Sequence, residues 1–290
     1  MGRFLTRLID AQGFWAKPFG DFNHWWLSGL FRRISAVKDF LNGRWLGHPF
    51  HSASTDLPIG VLGLAVLFDV IGQPAAADVA LGTGIVLMLL SALSGLADYT
   101  DTDGVARTRA TVHATLMVLA LVVYLVSLWM RLGQPADRTL PIVLSVLAWL
   151  LVLAAAFVGG DVVYALGNMV SRHAFRAAGG GGTKWVALDL GGAADIPEGE
   201  LFKAKAGASN LVIVRNGSTI LALHETCAHA GGPLAQGTLV DGQVECPWHG
   251  SRFRLADGRA TRGPTVYDQP RYEVRRSESG AGWEARLIRD

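Results

Sequence analysis

Four apolar stretches, each near the length of a bilayer crossing, leave this chain few ways to fold. They run from about Leu57 to Ile71, Val79 to Ala97, Thr111 to Met130 and Leu140 to Gly159. Most approach the ~20 residues a helix needs to cross the hydrocarbon core, and the first draws on its flanks through Val70 and Gly72. Thr55 and Asp56 are placed to cap that first helix, with Pro58 in its first turn. The connections Gln73 to Asp78 and Arg131 to Thr139 are short, which predicts an antiparallel bundle of neighbours. Gly82, Gly84, Ser91, Ser94 and Gly95 in the second stretch would let helices approach closely. A chain that is 50% hydrophobic and only 17% charged fits this reading, with a lipid bilayer as its surroundings. Its net charge of +2 supplies no bulk basicity, so nucleic acid is not expected as a partner.

Residues 1–50 hold no apolar run of signal-peptide type. From Asp21 to Leu41, Phe22, Trp26, Leu30, Val37 and Leu41 fall on one helical face, with Arg32, Arg33 and Lys38 elsewhere. Two readings stay open: a helix lying among lipid headgroups, or a helix packed on its own protein.

Cations set the expected orientation. With four crossings, the amino-terminal segment, the Asp98 to Ala110 loop and the carboxy-terminal tail share one side. They carry Arg32, Arg33, Lys38, Arg44, Arg107, Arg109, Arg172 and Arg176, against Arg131 and Arg138 opposite. The excess of cations predicts a multi-pass protein of the inner (cell) membrane with both termini in the cytoplasm.

Asp161 to Phe175 reads as a continuation of the fourth helix, and Ala177 to Gly182 as a flexible tether. From Lys184 the periodicity changes. Trp185 to Leu188, Leu211 to Val214, Thr219 to Leu223 and Tyr272 to Val274 are short runs of β-formers, and Asn216-Gly217 and Asp257-Gly258 are turn signals. The expected class is α + β: an amphipathic segment 1–50, a transmembrane four-helix bundle 51–176, a linker 177–183 and a small antiparallel all-β domain 184–290.

That last domain carries the chemistry. Cys227-Ala228-His229 and Cys246-Pro247-Trp248-His249-Gly250 each offer one thiol and one imidazole, and these two cysteines are the whole thiol supply. A disulfide cannot coexist with their use as ligands, which fits a reducing compartment. Two thiolates on one iron and two neutral imidazoles on the other make a two-iron cluster. The same donors could close a zinc site, but Cys-x-His is tighter than the usual zinc spacing.

Lys184 to Asp290 resembles a Rieske [2Fe–2S] domain of the ferredoxin type, through both ligand loops, the Cys-Pro-Trp-His-Gly-Ser run and the later Gly263-Pro264. The resemblance implies that Cys227 and Cys246 hold the buried iron, that His229 and His249 hold the outer iron near the surface, and that Ser251 donates to a bridging sulfide. High-potential members join a further cysteine from each loop, where this chain has Gly232 and Trp248. They also place a tyrosine hydroxyl on a ligand sulfur, where this chain has Phe253. Fewer donors predict a potential toward the lower part of the roughly −150 to +300 mV Rieske range.

In the membrane half, Leu46-Gly47-His48-Pro49-Phe50-His51, Leu57-Pro58-Ile59-Gly60, Gly95-Leu96-Ala97-Asp98 and His113 resemble an uncharacterised family of small four-span bacterial membrane proteins. That resemblance implies a topology and no activity. His48, His51, His113 and His173 are expected on the cluster's side. His51 and His113 read as axial ligands of a haem b, or else His113 hydrogen-bonds across the bundle while His48, His51 and His173 sit among polar headgroups. Asp98, Asp101 and Asp103 read as a solvated polar loop in preference to a cation- or proton-handling cluster.

No glycine-rich nucleotide fingerprint follows a strand, and no domain for a mononuclear iron is evident. The expected function is that of a membrane-anchored carrier, the electron-transfer component of an oxidoreductase system. It would take single electrons from a reductase or the quinone pool and pass them to an unknown acceptor protein through His229 and His249. The alternative is a redox sensor or anchor whose cluster state controls a partner interaction.

Overall fold

The computed structural model describes residues 2–133, 135–174, 184–278, 280 and 282–288. The chain divides into two compact units, Met1–Gly43 with Pro49–Asn168, and Arg44–His48 with Met169–Asp290. The expected linker 177–183 lies outside the described residues. Residues 1–43 group with the spans.

The first unit is helical: α1 (Gly2–Asp10), α2 (Gly13–Arg33), α3 (Ser35–Leu41), α4 (Phe50–Ser54), α5 (Asp56–Val70), α6 (Pro74–Tyr99), α7 (Gly104–Leu132) and α8 (Thr139–Gly160). Among the described residues, 4 helical segments are long and apolar enough to cross a membrane: Phe50–Val70, Pro74–Tyr99, Gly104–Leu132 and Thr139–Ala165. They are inside-out by the standards of a water-soluble bundle. Small residues such as Ala80, Gly84, Ser94, Ala120, Ala148 and Ala155 face inward, while Leu64, Leu90, Val118, Val122, Leu147 and Leu150 point out. Apolar surroundings leave large aliphatic chains no reason to hide, and close packing of small ones holds the helices together. Gly84 is one such contact, since a Cβ there would lie 2.6 Å from Leu62 Cδ2. Gly82 is not one of them, because nothing lies within 4 Å of its Cβ position.

The amino-terminal helix packs on its own protein, by a different face from the one expected. Ala16, Gly20, Leu27 and Phe31 are buried, spaced as one helical stripe, whereas Phe22, Trp26, Leu30 and Val37 are exposed. The helix also breaks at Ile34. Tyr99 Oη donates to Gly20 O at 3.0 Å and lies 2.8 Å from Thr111 Oγ1, fastening α2 to α6 and α7.

Charge is buried at both ends of the spans. At one end the Arg131 guanidinium meets Asp69 at 2.6 Å and Asp78 at 3.0 Å, and Arg138 also pairs with Asp78. An unpaired Arg131 in that setting would be costly, and the two carboxylates neutralise it. At the other end Asp98 and Asp101 are buried, contrary to the solvated loop expected for them. Asn42 Nδ2 donates to Asp98 Oδ1 at 2.7 Å, and Lys38 Nζ reaches Asp101 Oδ1 at 2.5 Å. Burial pushes the Asp101 carboxyl up to about 6 despite the lysine beside it.

After α8 a single wide turn, Asp161–Ala165, ends the helix, and positive φ at Gly167 and Met169 turns the chain. The helix expected as far as Phe175 therefore stops early.

The second unit is an antiparallel β domain. Strands β1 (Val186–Asp189), β2 (Phe202–Ala206), β3 (Ser209–Asn216), β4 (Thr219–His224), β9 (Arg271–Arg276) and β10 (Trp283–Leu287) close a barrel in the order β1-β10-β9-β4-β3-β2. A separate sheet runs β5 (Thr238–Val240), β6 (Gln243–Glu245), β7 (Arg252–Arg254) and β8 (Ala260–Arg262). The Asn216-Gly217 signal is the β3–β4 hairpin, with Asn216 opposite Thr219 and Gly217 at φ 60°. Leu211, Ile213, Ala222 and Ala285 fill the barrel. Val212, Leu223, Leu234, Val244, Phe253 and both cysteines form a second core under the small sheet.

Candidate metal centre

The four expected ligands arrive on two loops. The β4–β5 connection carries Cys227 and His229, and the β6–β7 connection carries Cys246 and His249. In the first loop Cys227 N–H donates to Gly232 O at 2.9 Å and Gly231 N–H to Cys227 O at 3.0 Å. In the second, Cys246 N–H donates to Ser251 O at 2.8 Å and Gly250 N–H to Cys246 O at 3.1 Å. Each cysteine therefore sits in a loop closed upon itself, which presents the thiol and the following histidine together.

The donors separate into two pairs. Both thiols are free and buried, and they hydrogen-bond one another. The rings of His229 and His249 face edge to face, centroids 5.0 Å apart and planes at 87°. Among the described residues no three thiol, imidazole or carboxylate groups converge on one point. A single zinc ion asks for four donors at one point, whereas a two-iron cluster asks for two at each metal.

The two thiols differ in how readily they give up a proton. Cys246 is held down to about 7, first by the Cys227 thiol that donates to it and also by the N–H groups of Trp248 and His249. Cys227 is pushed up, because it gives its hydrogen bond to Cys246 and is buried. The N–H groups of His229 and Ala230 work against that rise. One proton leaves easily and the second needs a cation to replace it, which iron supplies.

Three surrounding features suit a cluster. A Cβ on Gly232 would lie 2.7 Å from Cys246 Sγ and 3.1 Å from the Trp248 ring, so only glycine fits there. Ser251 is fully buried, and its Oγ accepts from Thr265 N–H at 3.3 Å, which leaves the hydroxyl proton to be donated elsewhere. Phe253 is fully buried in the apolar core with both cysteines and brings no hydroxyl to them. The two histidines differ in access: His229 is 4% exposed and His249 half-buried beside the exposed Trp248. The expectation of two imidazoles at the surface therefore holds for His249 alone.

Three residues outside the motif position the first loop. Gln269, buried behind the first loop, donates through Nε2 to His224 O and Thr226 O, both at 2.6 Å, and accepts Ala228 N–H at 3.0 Å. Arg172 N–H donates to Ala228 O at 3.1 Å, and His173 Nε2 bonds Thr226 O at 2.9 Å. His173, expected beside the membrane, thus belongs to the second unit and holds a ligand loop. Gln269 and His173 stand 43 and 53 positions from Thr226, and a lone glutamine or histidine at that distance is no signal without the fold.

In the first unit the structure brings His51 and His113 together. Their ring centroids lie 6.2 Å apart, with planes at 75°. His48 belongs to the other unit.

A small β domain that presents two thiols and two imidazoles from paired loops, attached to a bundle of apolar helices, defines a membrane-bound iron–sulfur protein. The pattern of the Rieske [2Fe-2S] domain matches residues 185–273, and that of a predicted membrane protein family, DUF2231, matches residues 47–172. Ferredoxin CarAc of Metapseudomonas resinovorans is 31% identical over 88 residues, 30% of this chain and 82% of that protein. Apoptosis-inducing factor 3 of Mus musculus is 30% identical over 81 residues, 28% of this chain, and the match spans 13% of that protein's length. The ferredoxin of carbazole 1,9a-dioxygenase from Nocardioides aromaticivorans IC177 has 24% identity and a TM-score of 0.29, covering 37% of this chain and 97% of that one. The chain belongs to the Rieske [2Fe–2S] family through its carboxy-terminal domain, fused to a DUF2231 membrane domain.

Proposed function

We propose that this protein is a membrane-anchored carrier of single electrons. Cys227 and Cys246 would hold one iron of the [2Fe–2S] cluster and His229 and His249 the other, with the Ser251 hydroxyl donating to a bridging sulfide. The bound cluster supplies reversible one-electron chemistry. The protein's part is to exclude water from the thiolate side, to aim backbone N–H groups at both sulfurs and to leave His249 as the more accessible imidazole. The observation that carries this reading is the separation of the four donors into a buried thiol pair and an imidazole pair.

The donor would be a reductase or the quinone pool, and the acceptor an oxygenase or another oxidoreductase. The similarity to CarAc, a ferredoxin, supports that class of partner. The cation excess on the side of the amino-terminal helices supports a place in the inner membrane with the Rieske domain in the cytoplasm. The membrane unit would add a second one-electron centre, a haem b at His51 and His113.

The test is the full-length protein purified in detergent and reduced with dithionite. The expected result is the visible absorption of an oxidised iron–sulfur cluster and the anisotropic paramagnetic resonance of a mixed-valence, imidazole-ligated one. Cys246→Ser should abolish both. A protein with no iron–sulfur resonance on reduction after anaerobic reconstitution with iron and sulfide would overturn the reading.

A further inference from the structure

We infer that His51 and His113 are the two axial ligands of one haem b held inside the four-helix bundle, an inference that deepens the carrier reading of the chain.

The two rings are held in the same way by different hairpins. His51, on α4, bonds through Nδ1 to the backbone carbonyl of Ser91 on α6 at 2.9 Å. His113, on α7, bonds through Nδ1 to the carbonyl of Ala155 on α8 at 2.8 Å. A carbonyl can only accept, so each ring carries its proton on Nδ1 and keeps the lone pair on Nε2. Anchoring of one ring nitrogen by a backbone carbonyl is how proteins fix the tautomer of a metal-ligating histidine.

The supporting glycines repeat as well. Four residues beyond each accepting carbonyl stands a glycine, Gly95 after Ser91 and Gly159 after Ala155. A Cβ on Gly95 would lie 2.8 Å from His51 Cε1, and a Cβ on Gly159 would lie 3.0 Å from His113 Nδ1. Both imidazoles are thus seated against bare backbone. The two histidines stand as far apart in sequence as Asp69 and Arg131, which are 62 positions apart and pair at the other end of the same helices. The bundle is two hairpins in parallel use, each delivering one imidazole to the same place.

The spacing suits an iron. Metal–nitrogen bonds of ~2 Å, with each ring centre roughly 1 Å behind its nitrogen, put the centroids about 6 Å apart across one metal ion. The observed separation is 6.2 Å. Among the described residues no hydrogen bond joins the two rings, which meet only edge to face. No third donor joins them either, and a porphyrin iron asks of the protein only two. Both histidines are partly buried, so each ring keeps some accessible surface, as the edge of a bound macrocycle requires.

The test is the full-length protein, produced with haem precursor supplied and, separately, purified without haem and titrated with haem b. The expected result is one haem per chain with the six-coordinate, low-spin spectrum of two imidazoles in both the ferric and the dithionite-reduced ferrous state. His51→Gly and His113→Gly should each lose the low-spin spectrum, and added imidazole should restore it, which a misfolded bundle could not do. His48→Gly should change nothing. Absence of a Soret band by both routes, or a low-spin spectrum unchanged in both variants, overturns the inference. The cluster resonance, read on the same samples, separates the two proposals: cluster without haem removes only the haem, and haem without cluster removes the carrier reading as framed.

Discussion

Of the histidine pairs that face one another in this protein, the pair between the ligand loops and the pair in the bundle are built by opposite means. His229 and His249 sit 5.0 Å apart on loops that also carry the thiols, and each loop is closed by hydrogen bonds within a few residues of its ligand. His51 and His113 sit 6.2 Å apart on separate helices, and each is fixed by a carbonyl from the next helix, 40 and 42 positions away. In the β domain the hydrogen bonds nearest each ligand are local, and Gln269, Arg172 and His173 brace the first loop from farther along the chain. In the bundle no ligand geometry exists until the helices have packed. The first kind of site is written as a motif; the second is written as helix spacing and small residues.

The largest expected effect separates the two directly. Cys227→Ser should remove the cluster completely, seen as loss of the reduced-state resonance, while any haem spectrum stays as in the parent. Gly232→Ala should remove most of the cluster, because its Cβ would press within 2.7 Å of Cys246 Sγ, and iron content per chain measures it. An equal cluster content in this variant would show that the loops are softer than the comparison holds.

A third prediction concerns the bundle alone. Asp101 has its folded-state pKa raised to about 6, so the folded form binds the proton more tightly than the unfolded one. Stability should be fullest at low pH and fall as pH rises toward 6, by up to about 3 kcal/mol, and Asp101→Asn should flatten that profile. Thermal unfolding in detergent across that range checks the sign. Next, Gln269→Ala takes a partner from Ala228 N–H and from the His224 carbonyl and leaves the Thr226 carbonyl held by His173 alone, costing about 1–3 kcal/mol of β-domain stability with the bundle unchanged. Differential unfolding followed by cluster bleaching measures it. Smallest is the tuning of potential: Ser251→Ala should lower the cluster midpoint by tens of millivolts, and Phe253→Tyr should raise it if the new hydroxyl finds a sulfur. A redox titration reads both.

What could be read from sequence follows the same division. The four spans, the strands around Leu211 to Val214 and Thr219 to Leu223, and both ligand loops are carried by neighbours in the chain, and each was legible. The packing face of α2 was not, because Phe22, Trp26 and Leu30 make as good an apolar stripe as Ala16, Gly20 and Leu27, and an apolar surrounding rewards exposing the larger one. Asp98 and Asp101 looked solvated because nothing local shows that Asn42 and Lys38 come to cover them. Gln269 and His173 act on a loop some 40 to 50 residues away, at |i−j| of 43 and 53 to Thr226, and no periodicity records that.

The clasp on Thr226 has a practical consequence for anyone dissecting the molecule. Its carbonyl takes one hydrogen bond from Gln269 and another from His173, and the neighbouring Ala228 carbonyl is met by Arg172. A fragment begun at Lys184, the natural cut suggested by the glycine run, would discard two of those grips and offer a loosened version of the first loop. The excised piece that keeps its native hold on iron should start no later than Met169.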